Sequence, residues 1–344
     1  MLADVETRKG VHFAPYISHL SDYLVCVNVQ CEDGTIAARK AFDILRQDLD
    51  MLRFFGIAAP SDRGGAALVE IGRSRPYVWV AYPKKQFHPS GGGDPRLQQL
   101  LAIIDDLSPD DQGRFRSAVQ YTDLGYAAHS ETVRFVNKWV ALESFIRLGD
   151  SAIEDVKRYV SSVLCLQYPY AVLRNLIDDF ERVGVDIYSL LQSARAGQQV
   201  RNFLSLLNSE FEYNRLLGAA SGYDLLRLRL EETKNIFESG ATLLRRLQRH
   251  KKNTEWHVQR LYRMRNEIVH LGASPVHVDR TAPHLSRYLH AVLNEVVFRI
   301  QRHRLQSIPH ILALIDDSYQ ALEFALSRTD EVDYSVISER VFLA

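Results

Sequence analysis

Trp256-His257-Val258-Gln259-Arg260-Leu261-Tyr262-Arg263-Met264-Arg265-Asn266-Glu267-Ile268-Val269-His270-Leu271-Gly272 reads as one amphipathic helix. Leu261, Met264, Ile268 and Leu271 recur at i, i+3, i+7 and i+10, the spacing of a stripe that turns inward. Asn253-Thr254 precedes the run as a cap, and Gly272 followed by Pro275 stops it. Arg265 and His270 lie off the apolar stripe. At about 100° per residue they stand roughly 140° apart, on the two flanks of one ridge. Asn266 and His270, four residues apart, share a face, so the amide is placed to hold the imidazole in one orientation. These residue types suit a phosphodiester. His exchanges protons near neutral pH, and Arg neutralises charge that gathers on phosphorus.

Similar spacings occur at Arg245/His250, Arg263/His270 and Arg304/His310. Context separates Arg265/His270 from them: Asn266 follows the Arg, Ile268-Val269 precedes the His, and a helix stop comes next. A His in the last turn also suits the negative end of the helix dipole, where it can bond the final carbonyls. The residues alone leave both roles open.

The approach to this motif is basic. Arg245, Arg246, Arg249, Lys251, Lys252, Arg260, Arg263 and Arg265 stand against the single acid Glu255. A run of this kind is ordinarily a solvated helix face, but one that leads into an Arg–His pair reads as a phosphate-attracting surface. The chain as a whole carries no net charge, with 42 Lys and Arg against 42 Asp and Glu. Its 344 residues, 46% of them apolar, suffice for one large or two modest cores.

Residues 1–82 read as a small α/β domain. Asp22–Val29 is β-rich, Thr35–Phe55 has helical periodicity, and 67–71 and 77–82 read as two strands joined by a Gly/Ser/Arg turn. Residues 83–95, with Ser90-Gly91-Gly92-Gly93, form a linker; the Gly run lacks the Gly-Lys-Ser/Thr ending of a phosphate loop. From 96 to 344 the pattern is helical: starts at Asp94-Pro95, Ser108-Pro109 and Ser130-Glu131, a capping box at Ser151/Glu154, then segments near 169–183, 197–217, 222–238, 240–250, 254–271, 283–305 and 308–327. No fixed-period repeat emerges, so the expected fold is mainly α, an irregular helical bundle behind the small α/β domain.

Other groups read as structural. Tyr121, Tyr126, Tyr159, Tyr168 and Tyr170 fit packing better than base stacking. His284, His290 and His303 lack ligand spacing, and Asp178-Asp179 and Asp316-Asp317 read as solvated faces rather than cation sites. No metal and no cofactor is expected. Cys26, Cys31 and Cys165 form neither a ligand set nor an even disulfide framework, which points to a reducing cytoplasm. No apolar run is long enough for a membrane span.

Arg265-Asn266-x-Ile268-Val269-His270 before Gly272 resembles the signature of HEPN domains. Asn137-Lys138-Trp139-Val140-Ala141-Leu142-Glu143-Ser144-Phe145 is similar to the first core helix of the Apea-like HEPN branch. The resemblance places a HEPN core at about 130–300. It implies Arg265 and His270 as catalytic residues, Asn266 as the polar residue of the motif, and Glu143 as a core-helix position without an assigned role. It implies a metal-independent ribonuclease acting on RNA as a homodimer, in prokaryotic antiviral defence or toxin-like growth arrest. Arg245, Arg246, Arg249, Lys251, Lys252, Arg260 and Arg263 are the expected RNA-binding residues. The N-terminal domain is expected to dock a regulatory or defence-system protein. The alternative is a non-catalytic dimerisation or binding module within a defence or nucleotidyltransferase complex.

Overall fold

A computed structural model of the chain describes residues 66–70, 77–81, 104, 106–128, 130–191, 196–272 and 278–332, which are mainly helical. The chain divides into two compact units, Met1–His129 and Ser130–Ala344. In the first, β1 (Ala66–Glu70) and β2 (Tyr77–Ala81) pair antiparallel, with Leu68 opposite Trp79. Helix α1 (Pro109–Ala127) begins where Ser108-Pro109 predicts a start. The Ser108 hydroxyl oxygen accepts from the Asp111 N–H at 3.3 Å and satisfies one orphan donor of the first turn. The strand read at 22–29, the helix at 35–55 and the 83–95 linker lie outside the described residues.

The second unit is an irregular helical bundle. Its described helices are α2 (Glu131–Ile146), α3 (Ala152–Arg182), α4 (Tyr188–Leu191), α5 (Ala196–Asn208), α6 (Glu210–Ala219), α7 (Asp224–Phe237), α8 (Gly240–Leu271), α9 (Val278–His303) and α10 (Ile308–Leu326). Helix α3 is the hub and packs against α2, α5, α7, α8, α9 and α10. Val156, Val160, Val163, Leu166, Leu173, Leu176, Ile177 and Phe180 of α3 are all buried, so this helix is apolar over more than one face.

Between residues 151 and 217 the helix boundaries differ from the sequence reading in three places. The segment read near 169–183 is not a separate helix: α3 runs through Pro169 from Ala152. An interior proline removes one hydrogen bond and crowds the preceding turn; here buried apolar residues on both sides hold the helix together. The expected Ser151/Glu154 capping box does not close. Ser151 is the N-cap without a side-chain bond, and Asp155 Oδ2 instead accepts from the N–H groups of Leu148 and Gly149, each at 2.8 Å. The segment 197–217 is two helices, broken at Ser209, which caps α6.

The two aspartate pairs also differ. Asp316 is buried rather than solvated and accepts from Arg158, Ser162 and Gln320. Burial opposes its ionisation, but these donors outweigh burial and hold the carboxyl below its usual range. Asp179 is buried too, paired with Arg182 and Arg229. No helix among the described residues is long and apolar enough to cross a membrane.

Candidate nucleic-acid interface

Helix α8 carries every residue of the expected site. Ser239 caps it by accepting from the Thr242 N–H at 3.2 Å, and Gly240 lies so close to the Leu326 and Thr329 carbonyls that a Cβ would overlap them. At the far end Gly272 takes the left-handed conformation, φ 61°, and its N–H bonds the Glu267 carbonyl. That stop agrees with the sequence. The start does not: segments 240–250 and 254–271 are one helix of 32 residues, and Thr254 is buried mid-helix rather than capping. Thr254 is followed inward by Val258 and Leu261, and packing on both sides of it overrides the local cap signal.

Taking Trp256 as zero and about 100° per residue, Arg245, Arg249, Lys252, Arg260, Arg263, Glu267 and His270 all fall within about 40° of it. All are exposed. The opposite side holds Leu243, Leu247, Thr254, Val258 and Leu261, all buried. Five cations thus run along one face of α8 for about 27 Å, from Arg245 to Arg263, and Glu267 and then His270 follow on the same face. Two expected binders lie off it. Arg246 projects about 80° away, and Lys251 points to the far flank, where its ammonium stands 4.2 Å over the Tyr319 ring.

The motif residues do not all meet. Arg265 stands about 180° from Trp256, half-buried, and its Nη1 donates to Asn266 Oδ1 at 3.1 Å. Its Nε is buried and makes no hydrogen bond among the described residues. Asn266 therefore faces its neighbouring guanidinium; no hydrogen bond joins it to His270 among the described residues. Leu271, expected on the buried stripe, is 76% exposed, and Val269 is 47% exposed. The inward stripe ends at Met264, with Ile268 only half-buried. His270 thus has an exposed apolar side chain before it and after it in the sequence, Val269 and Leu271.

Helix α2 braces α8 just before the motif. Trp139 is fully buried, its ring tilts against Tyr262 at 5.7 Å, and its indole N–H donates to Glu143 Oε2 at 2.6 Å. That bond gives Glu143 a positioning contact. On the same helix the buried Lys138 donates to Ser286 Oγ of α9 at 2.6 Å; burial first, and then Arg134, lower its affinity for a proton.

A second cluster lies at the seam of α8 and α9. His257 Nδ1 and the Tyr288 hydroxyl are 2.7 Å apart, and the His257 and His284 rings meet edge to face at 4.9 Å. Burial, then His284, then Arg260 depress the His257 pKa. Sequence reading missed this cluster because its members are 31 and 27 positions apart, with no local pattern. His290 is bonded to the Ser286 carbonyl, and no group of three or more potential metal ligands occurs among the described residues. Of the tyrosines, Tyr159 is buried, Tyr168 packs on His250 at 4.7 Å, and Tyr121 and Tyr126 are exposed. Burial pushes the Cys165 thiol up to about 12.

Trp256 is the residue whose role the sequence reading passed over. Its exposure of 66% distinguishes it from Trp139. Compared with models of known families, with curated proteins and with solved structures, the chain matches none.

Proposed function

We propose that the protein is a metal-independent endoribonuclease of HEPN type. The observation that carries this is the single exposed face of α8, on which five cations lead to His270. The stripe supplies the phosphate-binding track, and His270 supplies proton transfer at its end. In the reaction His270 takes the proton of a ribose 2′-hydroxyl, the 2′-oxygen attacks phosphorus, and the bond to the 5′-oxygen breaks. The leaving oxygen receives a proton from a second imidazole. Products are a 2′,3′-cyclic phosphate and a 5′-hydroxyl, and DNA, lacking the nucleophile, resists.

One chain offers one such imidazole, and its Arg265 lies on the other flank of α8. A homodimer with apposed α8 ends would supply two His270 and bring an Arg265 toward each. The exposed Val269 and Leu271 beside His270 suit such an apposition. Arg265 keeps Nη2 free of hydrogen bonds among the described residues, a donor for the charge on phosphorus. Prokaryotic defence or growth arrest is the setting the motif resemblance suggests.

A second reading is a non-catalytic RNA-binding or dimerisation module, favoured by the turn of Arg265 onto Asn266 and away from His270. Labelled RNA incubated in EDTA with wild type, His270→Ala or Arg265→Ala separates the two. Cleavage by wild type, with a loss of about 10²- to 10⁴-fold in each variant, supports the ribonuclease. The exposed decoy His310→Ala should cleave normally. Cleavage that survives His270→Ala, or that EDTA abolishes, refutes it.

A further inference from the structure

We propose that Trp256 is a base-stacking platform that selects single-stranded RNA at the middle of the α8 stripe. The inference rests on the RNA reading above and adds the strandedness of the substrate. An indole is ordinarily buried because it removes a large apolar area from water. Trp256 is 66% exposed on a face otherwise made of charged and polar groups. Lys252, one turn earlier, holds its ammonium 5.2 Å over the indole, and Arg260 stands one turn later on the same side. A base laid on the indole would therefore have cations on both sides for its flanking phosphates.

The spacing of the stripe fits such a strand. Arg245, Arg249, Lys252, Trp256, Arg260 and Arg263 follow one another at three or four residues, about 4.5 to 6 Å of rise each, a step on the scale of one nucleotide. Stacking tolerates any base because every base has a flat π-face, and the cations bind the backbone without reading sequence. A duplex keeps its bases stacked on one another and offers this ring no open face. A docking protein helix would need a matching apolar stripe, and Trp256 is the lone large apolar side chain within the described arc. The charge and the isolated ring together favour a single polyanionic strand.

The test uses the full chain and a 2′-O-methyl single strand, which cannot be cleaved, beside a blunt RNA duplex of equal length and poly-glutamate. Anisotropy measures affinity; tryptophan fluorescence reports stacking, with Trp256→Phe identifying the part that Trp256 contributes. The single strand should quench that part, and Trp256→Ala should weaken its binding by about 5- to 150-fold while circular dichroism stays unchanged. Trp256→Phe should recover part of the affinity, since a smaller ring still stacks. Equal binding of duplex and single strand overturns the proposal, as does unchanged affinity in Trp256→Ala. If that variant binds normally while loss of Arg249, Arg260 and Arg263 weakens binding, stacking fails and the RNA reading stands. If poly-glutamate quenches the indole and no oligonucleotide binds, both fail, and the face belongs to an acidic protein.

Discussion

Neutralising three cations of α8 should change how RNA binding responds to salt by a calculable amount. Arg249, Arg260 and Arg263 are exposed, and none makes an ion pair among the described residues, so replacing all three by Gln should leave the fold intact. Each phosphate contacted on a single strand contributes about 0.7 to the slope of log K against log salt. Three lost contacts flatten that slope by about 2.1. Salt raised fourfold, from about 50 to about 200 mM, should therefore cost the wild type roughly 20-fold more affinity than the triple variant. Anisotropy with a labelled, non-cleavable single strand measures both slopes. The matched control replaces Arg182, Arg215 and Arg227, which are paired with Asp179, Glu212 and Glu231 elsewhere on the bundle. It removes the same charge from other surfaces and should keep the wild-type slope. Equal flattening in the two triples would mean that general charge, not the stripe, attracts RNA. No flattening in either would remove α8 from the binding surface.

Three further outcomes follow from contacts described above. Because the folded His257 pKa lies below the ordinary 6.5, the unfolded chain takes up this proton first as pH falls, so stability present above about pH 6.5 is lost below it. His257→Asn should lose less thermal stability between about pH 7.5 and 5.5 than wild type, and an identical loss would show that His257 is not a source of the acid sensitivity. Gly240→Ala forces a methyl against the Leu326 and Thr329 carbonyls and should cost about 1–3 kcal/mol in urea unfolding; an unchanged midpoint would contradict the close approach of α10 to α8. Leu271→Glu puts charge on the exposed apolar rim of His270, and light scattering should then find a monomer where wild type is a dimer; a surviving dimer would place the interface elsewhere.

The parts of this fold that could be read from the sequence are those written by local chemistry. Ser108-Pro109 and Gly272 mark true helix ends because a cap and a left-handed stop each depend on one or two residues, and Ser130 stands at the start of α2 without a side-chain bond. Thr254 and Pro169 misled for a complementary reason. Each carries a local signal for a helix start, yet each is buried within a long helix that tertiary packing continues. Leu271 fits the apolar period, but the period says nothing about where a partner surface ends, and Leu271 is exposed. The basic run was visible as composition; its alignment with His270 on one face required the helix to be unbroken from Gly240 to Leu271. The His257–His284–Tyr288 seam joins α8 to α9 across the connection at 272–277, and no spacing rule encodes it.

The hub position of α3 has a consequence for how the second unit comes apart. Helices from both ends of its sequence, α2 and α10, close on the same central element. No set of neighbours can therefore peel away without opening a flank of α3, whose apolar residues would then face water. Local opening events should be confined to the rim, including the last turn of α8, while the amides of α3 exchange only when the whole unit unfolds. Pro169 contributes no amide to that record, so the slowest-exchanging signals should fall into two groups, one on either side of it. The exposed last turn of α8, which carries His270, should therefore open without disturbing the core beneath it.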